Sequence, residues 1–385
     1  MSPAQETKMK KLFLLIFSII LALVISELVL SVYAKMNPEF DKKLHSSFFN
    51  LIAEKKHPYC GEQLTIDYSQ KVRVPSEYII LLLGGSSAYG IGSDDNENKI
   101  CVLLEKYLNK KHRLKQISKF RVINAANPSY HSTQEKNVFM QFLSEDAQVD
   151  MLVSISGFNN LARSLENYAY GLPFNYPGRP WIAERLLMDE PAYYLGRLFE
   201  RIKNWKIIRD SKTLFVLFNR INYFCLKSYY KYGARDQIVS TVVHLSKDKK
   251  KFAIQKGTEI YKEDVWQIHT IAKAKGIDAI FILQPLLGFQ KEHLTAEEQD
   301  IIDSCRMYDL QLASHKMWVL GYKNLQEKGE WLKEEGVNFL DFTDVFKKEK
   351  TRTFTDLMHM NETGQDIFSQ KLSDCIINLL ATKYK

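Results

Sequence analysis

The stretch that most constrains this chain runs from Ile79 to Gly90, IILLLGGSSAYG. Five branched apolar residues lead without interruption into two glycines, two serines and, after Ala88 and Tyr89, a further glycine. A short unbroken apolar run reads as a strand buried on both faces, as in a parallel sheet. Glycines at its end place the next side chains at the sheet's carboxyl edge, where open α/β folds keep their sites. Ser86 stands on that edge with little bulk around it. Three glycine-rich signatures do not fit the run. A P-loop needs Gly-Lys-Ser/Thr, and no lysine follows Gly84 until Lys99. A dinucleotide fingerprint would require glycine where Asp95 follows Gly90 and Gly92, and a nucleophile elbow would require glycine at Ala88.

Four more short apolar runs follow: FRVINAA at 120–126, VDMLVSISG at 149–157, IDAIFILQ at 277–284 and VNFLDF at 337–342. Helical patterns separate them, beginning with Ile100, Leu103, Leu104, Tyr107 and Leu108 between Lys99 and His112. Such alternation predicts a doubly wound, mostly parallel five-stranded sheet with right-handed crossovers. One crossover is far too long, with about 120 residues between the third and fourth strands, where a βαβ unit needs a few dozen. We read an inserted helical cap over about 162–255. Residues 168–232 within it hold 16 aromatics. These form the cap's own core, stack on sugar rings or rest on a bilayer surface. The run Lys-Asp-Lys-Lys-Lys at 247–251 reads as a solvated loop. Thr295 and Glu298 make a capping-box pattern that starts a long helix, and the loop before it, from Pro285, reads as a substrate wall.

Ahead of the domain, Lys8, Lys10 and Lys11 precede the apolar segment 12–34, whose 23 residues include one ionisable side chain, Glu27. At about 1.5 Å per residue the segment spans a bilayer. The preceding lysines keep the amino terminus (1–11) inside and the domain outside the cytoplasm. A cleaved signal peptide has a shorter apolar core, of about 7 to 15 residues, and a small-x-small site, so an uncleaved anchor is the reading. Glu27 snorkels or stays protonated near the interface. Residues 35–78 form a membrane-proximal lead-in, and 79–385 the domain.

Hydrophobic content of 45% with 25% charged residues excludes a disordered chain. The net charge of +8 comes without a zinc-finger or RNP pattern, so no nucleic-acid partner is expected. A mild attraction to anionic lipid or cell-wall polymer fits that charge equally well. Five scattered cysteines, with no CxxC, exclude a complete disulfide framework. Cys101 and Cys375 read as small buried hydrophobes in helices. The nine histidines show no HxxxH or HExxH spacing. No metal or cofactor is expected.

Acyl-transfer chemistry needs a nucleophile, a base, a group that orients the base, and donors for the oxyanion. A polar cluster follows four of the five predicted strands: Ser86 after the first, Asn124 to Tyr130 after the second, Gly157-Phe158-Asn159-Asn160 after the third, and Asp356-Leu357-Met358-His359 after the fifth. In block order, over roughly 79–375, this set resembles the SGNH (GDSL-type) hydrolases. Gly85 stands where the name-giving aspartate usually is, Ser129 where the second block has glycine, and Asn160 where the third block, GxND, has aspartate. The fourth block, DxxH, matches without departure and is followed by Asn361 and Gly364.

The resemblance implies a flavodoxin-like SGNH fold and a Ser86 nucleophile, with His359 as base and Asp356 holding its tautomer. It implies an oxyanion hole built from Ser86, Ser129 and Asn159. His131 reads either as a residue lining the site or as an ordinary loop histidine. Three functions are then open. The first is a membrane-anchored esterase acting outside the cytoplasm on an acylated small molecule, glycan or lipid. The second is an acyltransferase using the same site. The third is a non-catalytic binding or assembly module that keeps the fold.

Overall fold

The computed structural model describes residues 76–144, 148–176, 239, 241–304 and 308–384, together with a two-residue antiparallel ribbon pairing Lys56–His57 with Gly61–Glu62. All of these belong to one compact unit, 56–183 with 238–385. The apolar segment 12–34, nearly all of the lead-in and residues 177–238 of the insertion lie outside the described residues. Among the described residues no helix is long and apolar enough to cross a membrane.

Strand β1 is Glu77–Gly84, so the domain's first strand begins two residues earlier than its apolar run. All eight of its residues are buried, and Ile79 to Leu83 are at most 2% exposed. At about 2 kcal/mol for each buried aliphatic side chain, β1 is a main source of stability. β2 (Lys119–Asn124) pairs with it on one side and β3 (Met151–Ser156) on the other, both parallel. β4 (Asp278–Leu283) and a short β5 (Phe339–Asp341) extend the sheet, giving the parallel order β2-β1-β3-β4-β5. The chain reverses its direction across the sheet at β1. With right-handed crossovers, the helix between β1 and β2 therefore covers one face and the later crossover helices the other.

That first crossover helix is α2 (Ile100–Lys111), preceded by a one-turn helix α1 (Ser86–Tyr89). Opposite lie α3 (Ser132–Ser144), α4 (Phe158–Ala169) and α5 (Lys247–Ala274), with α6 (Ala296–Asp303), α7 (Tyr308–Leu312) and α8 (His315–Glu334) between β4 and β5. α3, α4 and α8 pack around α5, while α9 (Glu362–Lys383) packs on α2.

Two local expectations are corrected. The lysine run at 247–251 opens α5 instead of forming a loop. The Ser246 side chain accepts from Lys249 N–H, Asp248 lies in the first turn, and Lys247, Lys249 and Lys251 are exposed while Lys250 Nζ donates to Leu312 O. The insertion expected over about 162–255 begins within α4 and ends within α5, with 177–238 outside the described residues. Its first residues complete α4, and its last belong to α5, whose apolar stripe (Ala253, Ile254, Tyr261, Val265) is buried in the domain. The Thr295–Glu298 capping box is present, but the helix it starts has only eight residues. Cys101 and Cys375 are free thiols, half-buried in α2 and α9.

Candidate active site

The end of β1 leaves no room for side chains at its two glycines. A Cβ on Gly84, whose φ is 145°, would strike the Ile155 carbonyl of β3 and Ala88. A Cβ on Gly85 would strike Asn159 Nδ2 and approach Tyr130 O to 3.0 Å. The glycine that replaces the expected aspartate is therefore what lets Asn159 lie against the nucleophile turn. Ser86 begins α1, so its N–H is a first-turn donor with no i−4 acceptor within the helix. The Ser86 residue itself is 8% exposed.

Beyond β2, the backbone follows β1 to its end through Ala125 N–H to Leu82 O and Asn127 N–H to Gly84 O. It then turns at Ser129, whose φ of 71° is the left-handed conformation that favours glycine. That backbone requirement accounts for a glycine at the matching position of the second block. The turn presents Tyr130 O, which accepts from Asn159 Nδ2 at 2.7 Å. One amide hydrogen is spent there, and the other remains for a ligand. Asn160 takes no part in this. It is 2% exposed and ties α4 to α3, donating through Nδ2 to Ser132 Oγ (2.6 Å) and accepting from Ser132 N–H (3.3 Å). His131 is buried at the start of α3, accepts from Thr133 N–H at Nδ1, and serves the fold. Burial lowers its pKa to about 4, so it is neutral.

Asp356-Leu357-Met358-His359 folds on itself. Asp356 Oδ1 accepts from the backbone N–H of Met358 (2.9 Å) and His359 (2.8 Å), while Oδ2 faces His359 Nδ1 at 2.5 Å. The other ring nitrogen, Nε2, is 2.6 Å from Ser86 Oγ, across 273 residues of sequence. Burial raises the Asp356 pKa, but the hydrogen bond and charge of His359 and the two backbone donors outweigh it and leave the carboxyl below its ordinary value. Asp356 is thus ionised at neutral pH. With Nδ1–H donating to it, His359 presents a bare Nε2 to the serine hydroxyl.

The segment after β4, expected to line the site, is bonded to the Asp356–His359 loop and to the nucleophile turn. Gln284 Nε2 donates to Ser87 Oγ (3.2 Å), Leu287 N–H to Leu357 O (3.0 Å), and Lys291 Nζ to Thr351 O and Thr353 Oγ1. Lys291 also pairs with Glu298 at 2.7 Å, and both side chains are almost wholly buried. A lone amide such as Gln284 carries no spacing signature, so sequence reasoning passed over it. The capping box was the one legible trace of Glu298.

The strand order, the serine at the reversal point and the Ser-His-Asp geometry together invite comparison with solved structures. The chain is similar to lipases and acetylesterases of known structure. One is a lipase from a goat rumen metagenome (11% identity, 77% of this chain and 96% of that one, TM-score 0.41). Another is the lipase/acylhydrolase from Enterococcus faecalis (13%, 78% and 96%, TM-score 0.38). A third is a carbohydrate acetylesterase from Sinorhizobium meliloti (8%, 78% and 99%, TM-score 0.36). No family model matches the chain, and no curated protein matches it. The chemistry is carried by the site's own atoms.

Proposed function

We propose that this chain is an SGNH-type serine esterase that removes an O-acyl group from a carbohydrate or lipid. The observation that carries this reading is the unbroken line from Ser86 Oγ through His359 to Asp356, at 2.6 and 2.5 Å. In this reading His359 Nε2 takes the Ser86 proton as Oγ bonds to the acyl carbon. The carbonyl oxygen, now negative, lies among three donors: the Ser86 N–H, the Ser129 N–H and the second amide hydrogen of Asn159. Asp356 stabilises the imidazolium without taking its proton. His359 then protonates the leaving alcohol, and a water that it deprotonates attacks the acyl-enzyme and frees Ser86.

The apolar segment 12–34 and the lysines before it support a single-pass anchor with the domain outside the cytoplasm. The positive net charge suits a negatively charged envelope surface.

One labelling experiment tests both parts. A membrane-impermeant fluorophosphonate should label the protein in cells whose outer layer is permeabilised and whose inner membrane is intact. Ser86→Ala and His359→Ala should each abolish labelling and lower p-nitrophenyl acetate turnover by several powers of ten. Labelling in lysate but not in intact cells would sink the extracytoplasmic placement alone. Labelling that survives Ser86→Ala would sink the esterase.

A further inference from the structure

Three successive carbonyls of the base loop are held by donors from three places. Leu357 O accepts from Leu287 N–H (3.0 Å), His359 O from Thr355 N–H (2.9 Å), and Met358 O from the Ser87 hydroxyl (2.9 Å). The third of these comes from the nucleophile's own turn, one residue past Ser86. Ser87 is 3% exposed, and its Oγ is approached from the other side by Gln284 Nε2, which is equally buried. An amide hydrogen directed at Oγ leaves the hydroxyl proton one acceptor, the Met358 carbonyl. Gln284 is placed by its own N–H, bonded to Ser156 O at the end of β3.

We propose that Ser87 is a positioning residue: with Gln284 it fixes the distance between the base loop and the nucleophile turn, and so the contact of His359 Nε2 with Ser86 Oγ. The proposal rests on the esterase reading for its catalytic consequence, but its geometric claim stands on Met358 O. A 2.6 Å contact between groups so remote in sequence needs both loops held against a common element, and a drift of 1 Å in the base would leave Ser86 without an acceptor. Gln365 of α9 supplies a second tie, donating to both Gly90 O (3.3 Å) and Met360 O (3.1 Å) at the far ends of the two loops. Ser87 acts beside the reacting groups, and Gln365 acts behind them.

The test compares Ser87→Ala, Ser87→Thr and Gln284→Met with the wild-type full-length chain solubilised in detergent. Two readouts are taken: the downfield proton signal of His359 Nδ1–H, assigned by its loss in His359→Ala, and the rate of fluorophosphonate labelling. In Ser87→Ala the His359 signal should broaden or move upfield and labelling should slow about tenfold or more, the size of one buried hydrogen bond expressed as a rate. For a chromogenic ester, kcat should fall while KM stays within about twofold. Ser87→Thr, which keeps the hydroxyl, should recover the signal and most of the rate. Gln284→Met should reproduce the alanine effect while leaving the residues of both loops unchanged, and it serves if Ser87→Ala does not fold. An unchanged His359 signal and labelling rate in folded Ser87→Ala or Gln284→Met would overturn the proposal, leaving Ser87 a packing residue. If the wild type does not label yet its His359 signal shifts in Ser87→Ala, the positioning role holds and the esterase reading falls.

Discussion

Asn159 shows how much one side chain depends on what its neighbour lacks. Its amide occupies the space that any side chain on Gly85 would need, and Tyr130 O fixes one of its hydrogens. In the proposed esterase reading, the other hydrogen is a donor for charge that exists only in the transition state, and removing it removes that donor. Asn159→Ala should therefore lower kcat by roughly a hundred- to a thousandfold with little change in KM. Asn159→Asp, equal in shape but unable to donate, should be at least as slow. Tyr130 O loses one hydrogen bond in both variants, worth about 1 kcal/mol, so the melting temperature should fall only slightly. Steady-state kinetics beside a melting curve decide the matter. A variant that melts early but keeps full specific activity would make Asn159 a turn residue and nothing more.

At the scale of elements, the base loop is a short hairpin-like excursion closed by the Phe354–Met360 bridge and leaning on the segment that follows β4. The anchor of that arrangement is the Lys291–Glu298 pair, capped by Thr353 Oγ1 and by the N–H groups of Thr353 and Phe354. Burial raises the Glu298 pKa, but Lys291, Thr353 and Thr295 outweigh it and leave the carboxyl lower than usual. Breaking one side of a buried pair strands a charge. Lys291→Met should cost about 3–5 kcal/mol in denaturant unfolding. The double variant Lys291→Met/Glu298→Gln, which removes both charges and keeps an acceptor for Thr353, should regain much of that. A double variant no more stable than Lys291→Met would show that geometry, and not stranded charge, sets the cost.

For the molecule as a whole, the reversal of strand order at β1 brings the ends of β1, β2 and β3 to one point, and the long return of the chain brings Asp356 and His359 to the same place. The layer between the sheet and α5 carries a second ionisable group of consequence. Glu135 is 1% exposed and bonded to Ser154 Oγ at 2.5 Å, and burial pushes its pKa up to about 8. Unfolded, it titrates near the ordinary glutamate value of about 4.3. Between those values the native state holds a proton that the unfolded state has released. Stability from this group is therefore greatest below about pH 4 and falls as pH rises towards 8. Glu135→Gln is neutral throughout and lacks that fall. Melting temperatures of the two proteins should diverge from pH 5 to pH 8, the wild type losing more. Parallel curves would mean that Glu135 is already ionised in the native state.

The sequence by itself pointed to the five strands, their parallel sense and the four residue clusters at their ends; the signal is plainest in β1, β3 and β4, because a strand buried on both faces must be written as an unbroken apolar run. It also determined the internal fold of Asp356 to His359, whose hydrogen bonds span only two or three residues. Only the tertiary structure decided that Ser87 bonds the base loop and Gln284 bonds Ser87, that Asn160 joins two helices while Asn159 lies against the nucleophile turn, and that the segment after β4 is tied to the base loop. Those contacts join residues up to 271 positions apart, and a serine or glutamine has no periodicity that would announce its partner. Lys247 to Lys251 illustrate the opposite failure. Their charge reads as a loop, yet the Ser246 cap and the apolar stripe that follows make them helical, since solvent accepts lysines on the open face of a helix as readily as in a turn.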